Sequence, residues 1–253
     1  MAITIKSERE IELMAEAGKI LERVHNELEK ALHPGMSTKD IDTLGEKIIR
    51  SYGCIPSFLN YNGYPASICV SVNQEVVHGI PDKHRIIHEG DIVSLDAGVI
   101  YKGYHSDAAR THAVGEVSEE AKKLIQVTKE CFFEGIKYAK AGNHLFDISG
   151  AIGRYAEERG YGVVRDLCGH GIGTALHEAP EIPNYEVGRK GVKLRPGMTL
   201  AIEPMINIGT YEVDWLDDDW TVVTRDGSLS AHYENTILIT EGEPRILSLT
   251  CDN

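Results

Sequence analysis

The tightest constraint on the fold is a change of hydrophobic period that occurs twice along the chain. Ser7-Glu8-Arg9-Glu10 has the capping-box pattern, with Ser at the N-cap and Glu three residues later. Ile11, Met14, Leu21, Val24 and Leu28 follow at helical spacing, and Pro34-Gly35 stops the run. Ile41, Leu44 and Ile48 predict a second helix over about 38–52. The period then drops to two: 67–72 and 91–95 alternate and are rich in β-branched residues, as strands are. A long helix is expected over 118 to about 140, with Leu124, Ile125, Phe132 and Ile136 inward. Another runs from about 145 to 159 and ends at Gly160. Strands return after Gly162, with one over 199–208 and a hairpin around Asp226-Gly227 leading into Thr236-Ile237-Leu238-Ile239. Two helices then strands, given twice, predicts an α+β fold of two similar halves. No Pro/Ser-rich linker divides the chain, so residues 1–253 are expected to form a single domain.

The formal charge is 26 − 39 = −13, which argues against a nucleic-acid or anionic-membrane partner, since both favour basic faces. Five cysteines, Cys54, Cys69, Cys131, Cys168 and Cys251, are scattered without a CxxC pair. A disulfide framework or a structural zinc site is not expected, and a reducing compartment is. The first ten residues turn charged at once, and no apolar run approaches the ~20 residues of a membrane span, so the cytoplasm is expected.

Several stretches carry polar residues where a strand pattern calls for apolar ones. Asp96 ends the apolar run Val93-Ser94-Leu95, and burying it is costly unless it is paired or bound to a metal. Asp107 follows 11 residues later, beyond a turn-rich segment at 101–104, so an antiparallel hairpin would set the two carboxylates side by side. Adjacent carboxylates repel, and a bound cation reverses that. In Gly169-His170-Gly171-Ile172-Gly173 the glycines let backbone approach closely and leave His170 open. His177 lies seven residues on, which is not the i,i+4 spacing of a helical zinc motif. Glu203 and Glu234 each sit in or beside an apolar strand. Alone, each is a turn cap or a solvent-facing acid. Together, four carboxylates and one imidazole suit Mn²⁺, Fe²⁺, Co²⁺ or Zn²⁺. Four carboxylates are also more charge than one divalent ion usually gathers, which favours two ions sharing ligands.

At these residues the chain resembles the type I methionine aminopeptidases. The resemblance runs nearly end to end: Asn73 through His78-Gly79-Ile80-Pro81, Asp96-Ala97-Gly98, 105–111, Gly169–Gly173 with His177, Ile202-Glu203-Pro204, and Asp226-Gly227-Ser228 through Glu234-Asn235-Thr236. It implies the pita-bread fold, with two pseudo-symmetric halves of antiparallel sheet and outer helices. It implies excision of N-terminal methionine ahead of a small second residue, by attack of a metal-activated water on the first peptide bond. Asp107 and Glu234 would bridge two divalent ions (Co, Mn, Fe or Zn), Asp96 would complete one site, and His170 and Glu203 the other. Glu203 would be the general base, His177 would stabilise the tetrahedral intermediate, and His78 would assist the amide nitrogen. The substrate's free α-amine would bind the metal beside Asp96. Tyr61, Tyr64, Cys69 and Trp220 match the methionine pocket. Leu176 and Phe58 depart from common family residues and bear on pocket shape. The implied partner is a nascent protein or peptide at the ribosome, and the implied state a monomer. His105 and His232 flank metal positions and could support them; the remaining histidines read as surface or packing residues.

Three other readings compete. X-Pro dipeptidases and aminopeptidases P share fold and ligands but usually carry a large N-terminal domain, and Asp96 comes too early for one. Non-catalytic members of the fold tend to lose metal ligands, which this chain keeps. A two-metal phosphodiesterase would need basic groups for phosphate, and Arg110 alone is weak support.

Overall fold

A computed structural model describes residues 3–249. Helices α1 (Glu8–Ala31) and α2 (Thr38–Ser51) precede strands β1 (Ile55–Pro56), β2 (Ile68–Val72), β3 (Glu75–Val77), β4 (Ile92–Tyr101) and β5 (Tyr104–Ala113). Helices α3 (Glu119–Ile136) and α4 (Leu145–Glu157) precede β6 (Gly162–Val163), β7 (Gly169–Gly171), β8 (Glu178–Ile182), β9 (Thr199–Ile202) and β10 (Met205–Asn207). The chain continues through β11 (Val213–Trp215), β12 (Val222–Thr224), β13 (Ser230–His232), β14 (Asn235–Leu238) and β15 (Arg245–Ile246). The capping box at Ser7 forms in both directions, and Ser118 caps α3 through Ala121 N. No helix among the described residues is long and apolar enough to cross a membrane.

Each half packs a helix pair on one antiparallel sheet. In the first, Leu21, Val24 and Leu28 of α1 and Ile41 and Ile48 of α2 bury against Val70, Val93 and Leu95. Leu44, expected on the same face, is only partly buried there. In the second, Leu124 and Phe132 of α3 and Ile148 and Ile152 of α4 cover Leu200, Ile202 and Ile237. Burial of each such side chain is worth about 1.5–3 kcal/mol, so each helix pair is held by its sheet rather than by its own propensity.

The sheets run β1–β4–β2 with β5 on the other edge of β4, and β15–β14–β9–β7–β8. They meet where β5 approaches the start of β14. Glu234 N donates to Ala109 O at 3.0 Å. The Thr236 hydroxyl accepts from Asp107 N and donates to Asp107 O, both at 2.9 Å. The two halves are therefore joined at the residues that carry two of the expected ligands.

Three strand expectations are corrected. Asp96 does not end its strand, because β4 continues to Tyr101 and pairs with β5 along its whole length. The strand expected over 199–208 breaks at Glu203-Pro204 into β9 and β10, which lie in different sheets; Pro204 has no N–H to continue a ladder. A turn does form at Asp226-Gly227, with Gly227 at φ 74°, but it closes no hairpin. Strand β12 pairs with β11 and β3, and β13 with β10. Four described cysteines are free thiols, and Cys251 lies outside the described residues.

Replacing Thr236 by Val keeps the volume but leaves the buried Asp107 N–H and C=O without their shared partner. The expected loss is about 2–3 kcal/mol of unfolding free energy, read from urea denaturation. An unchanged midpoint would show that the seam does not depend on this hydroxyl.

Candidate metal centre

The hairpin β4–β5 pairs Asp96 with Ala109 and Gly98 with Asp107, so the two carboxylates are diagonal neighbours on one face rather than directly opposite. His170 is central in β7, opposite Ala201 of β9. Glu203 and Glu234 stand just beyond the β9–β14 ladder, next to the pair Ile202–Asn235. The Gly-His-Gly run is required by packing: a Cβ at Gly171 would lie 2.2 Å from Ala179 O.

These elements bring all five expected ligands to one cavity of about 380 Å³. His170 Nε2 lies 3.6 Å from Glu203 Oε1 and 3.9 Å from Asp107 Oδ2. Asp107, His170 and Glu234 offer ligand atoms within 4.8 Å of one another. Asp96 and Glu203 line the same cavity beside that trio.

The electrostatics call for a cation. Burial lifts Asp107, Glu203 and Glu234 well above the usual carboxylate range, and their neighbouring carboxylates push further. Burial raises Asp96 to about 7. Asp96 Oδ1, Asp107 Oδ1 and Glu234 Oε1 are buried with no hydrogen-bond partner. Burial, and then His177, hold His170 down at about 3, so its imidazole is neutral, the form that binds metals. Its Nδ1 lies 2.9 Å from Gly171 O. A carbonyl only accepts, so Nδ1 carries the proton and the Nε2 lone pair faces the carboxylates. Burial keeps the Cys69 thiol protonated, which leaves an oxygen-and-imidazole donor set. That set fits hard to borderline divalent ions.

The rest of the cavity is aromatic and apolar. Tyr61, Tyr64, Cys69, His78, His177 and Trp220 all line it, as the resemblance implied, and so do Phe58 and Leu176. Trp220 meets Tyr64 edge-on at 5.1 Å, and the Tyr64 hydroxyl donates to Gly79 O at 2.9 Å. His78 holds a left-handed backbone at φ 60°, a strain typical of functional positions, and burial lowers its pKa to about 4. Tyr61 Oη lies 2.7 Å from His177 Nδ1, and the His177 and His170 rings are 4.0 Å apart.

Sequence reasoning missed three contributors. Asn62 also lines the cavity at φ 48°; the Asn62-Gly63 dipeptide signalled only a turn. Thr236 holds the backbone of Asp107, as described above. Arg110 is a half-buried guanidinium that donates to Glu234 O and Asn235 Oδ1 and lies over the Tyr233 ring at 4.5 Å. Periodicity along one strand could not have revealed contacts made across the seam. Of the flanking histidines, His232 Nε2 lies 3.9 Å from Glu203 Oε2, whereas His105 turns to Ser57 Oγ at 3.0 Å.

The raised carboxylates make a pH prediction. In the metal-free protein Asp96 titrates at about 7. In an unfolded chain an Asp titrates at about 4. Between those values the folded form binds the extra proton, so this contribution to stability is full below about pH 4 and is lost as pH rises through about 7. The buried histidines push the other way at acid pH, so the contribution is read as a difference: relative to Asp96→Asn, metal-free wild-type protein is expected to lose unfolding free energy between about pH 5 and pH 8, and added Mn²⁺ or Co²⁺ to narrow the loss. A difference that grows in favour of wild type over this range, or one that metal leaves alone, would contradict the assignment.

Residues 12–241 match metallopeptidase family M24. The methionine aminopeptidase of Clostridium acetobutylicum is 59% identical over 247 residues, covering 98% of this chain and 99% of that protein. The crystal structure of methionine aminopeptidase from Thermotoga maritima superposes with a TM-score of 0.96 at 47% identity, covering 98% of this chain and 100% of that one. The Xaa-Pro dipeptidase of Bacillus anthracis superposes with a TM-score of 0.77 at 27% identity, and the match takes in only 63% of its length. The helix pairs on antiparallel sheets are thus those of the pita-bread fold, and the chain belongs to metallopeptidase family M24, in its methionine aminopeptidase branch.

Proposed function

We propose that this chain removes methionine from the N-terminus of proteins and peptides whose second residue is small, as a single catalytic unit spanning residues 1–253. The observation that carries the reading is one cavity in which a carboxylate–imidazole cluster meets an aromatic pocket with a neutral sulfur at its wall. Aromatic faces and a thiol suit an unbranched thioether. Both halves supply ligands, which supports a single unit.

Two divalent ions would be held by Asp107 and Glu234 together with Asp96 on one side and His170 and Glu203 on the other. Bound ions of this kind make water acidic and polarise a carbonyl. Co, Mn, Fe and Zn all suit the donor set. Glu203 takes the proton of the attacking water as general base, from a carboxylate whose Oε1 stands 3.6 Å from His170 Nε2. His177 serves the developing oxyanion: the tautomer in which Nδ1 accepts from Tyr61 Oη is the one that leaves Nε2–H pointing onward. His78, neutral and fixed in its strained backbone, faces the leaving amide nitrogen. The substrate is taken to be a nascent chain met at the ribosome in the cytoplasm, and the protein a monomer.

Metal-free protein titrated with Co²⁺, Mn²⁺ or Fe²⁺ is expected to release methionine from Met-Ala-Ser, saturating near one or two ions per chain, and to leave Ala-Ala-Ser and X-Pro peptides intact. Cleavage of the X-Pro peptide would move the chain to the prolidase side of the family, and no cleavage with metal bound would refute the activity. Asp107→Ala is expected to lose metal and turnover together, measured by elemental analysis alongside the rate. His177→Ala should keep its metal while kcat falls about 10²–10³-fold; an unchanged kcat would remove His177 from catalysis.

A further inference from the structure

His177 follows the buried Leu176 on a turn whose other residues, Thr174, Ala175 and His177 itself, are exposed between β7 and β8. A side chain assigned to the reacting carbonyl needs a firmer mount than such a turn supplies by itself. The mount is the next residue. Glu178 folds its carboxylate beneath the turn, where Oε1 accepts from Ala175 N at 3.3 Å. Its Oε2 accepts from Lys6 Nζ at 2.6 Å and from the Thr4 hydroxyl at 2.7 Å. The pair is nearly dry, with side-chain exposures of 4% for Lys6 and 12% for Glu178. Gly173 closes over it: a Cβ there would lie 2.4 Å from both Glu178 Oε1 and Lys6 Cε. Lys6 in turn is fixed by its backbone N–H to Gly197 O at 2.8 Å and by the capped start of α1 immediately after it.

We propose that Lys6 and Glu178 are positioning residues for His177: their buried ion pair sets where the 173–178 turn holds the imidazole, without touching substrate. This rests on the role given to His177 above. Strand β8 is already held by its ladder with β7, Lys6 by Gly197 and the middle of the turn by buried Leu176, so what the pair adds is the fixing of the 173–175 limb on the far side of Leu176 from His177 and of Glu178 beside it. Without Lys6 the largely desolvated Glu178 carboxylate loses its counter-charge and keeps only the Thr4 hydroxyl and Ala175 N–H. Its escape is outward to water, and Ala175, bonded to it, would go with it and shift His177. The connection joins residues 4–6 to a turn more than 160 residues away, so no local pattern announces it.

The test uses Lys6→Met, which keeps the aliphatic stem, and Glu178→Gln, which keeps the shape and removes the charge. With Met-Ala-Ser as substrate, each is expected to lower kcat about tenfold to a hundredfold with KM within about twofold and metal content unchanged. In a His177→Ala background the same changes should alter kcat by less than about twofold, because their effect passes through the missing imidazole. A readout independent of turnover is the His177 imidazole resonance in metal-free protein, which should move in Lys6→Met while that of His25 stays. Wild-type rates in both variants, an equal fall in the His177→Ala background, or an unmoved His177 resonance would each overturn the proposal. If Lys6→Met does not fold, Glu178→Gln carries the same cycle. Failure of the wild-type protein to cleave Met-Ala-Ser would instead sink the proposed activity, and the resonance would still decide the mount.

Discussion

The carboxylates of Asp96, Asp107, Glu203 and Glu234 share one desolvated cavity, and their mutual repulsion has to be met by positive charge. Hydrogen bonds do not meet it, since three of their oxygens have none. A divalent cation does, and it turns the mutual repulsion of the carboxylates into the driving force for binding. The surrounding structure holds four like charges close enough for that exchange. The β4–β5 ladder supplies two of them in fixed diagonal register, and the interruptions after β9 and before β14 release the other two from their sheets at the right place.

The seam between the halves is where this constraint becomes architecture. Asp107 and Glu234 come from different halves, and the backbone at both positions is tied across the join through Thr236 and Ala109. Arg110 sits behind them and spends its donors on backbone and amide oxygens rather than on the carboxylates themselves. It stiffens the bed and leaves the ligand oxygens free. The carboxylate cluster, the cohesion of the halves and the shape of the aromatic cavity are therefore one problem, because β4 carries Asp96 and pairs with β2, which carries Cys69.

The neutral histidines follow from the same desolvation. Burial that lifts the carboxylates lowers His78, His170 and His232, so the imidazoles beside a cation site carry no competing charge. His170 is left as a lone-pair donor because Gly171 O takes its other nitrogen's proton. His177 is the exception in mounting, exposed on its turn, bonded to Tyr61, and reached by the Lys6–Glu178 pair only through Ala175 of the turn.

What the sequence determined by itself was local or additive. The capping box at Ser7, the helix-to-strand changes of period and the β4–β5 hairpin are properties of neighbouring residues, and they emerged in place. The ligand residues were legible because a polar group in an apolar strand is costly unless something binds it, a conflict visible at Asp96, Glu203 and Glu234 without coordinates. The tertiary structure decided everything that depends on which strand lies beside which. The run 199–208 reads as one strand but serves two sheets, and the turn at Asp226-Gly227 reads as a hairpin but sends β12 and β13 to different partners. Arg110, Thr236 and Lys6 gained their roles only across the seam or across the whole chain, where contacts are set by packing and leave no trace in the spacing of residues.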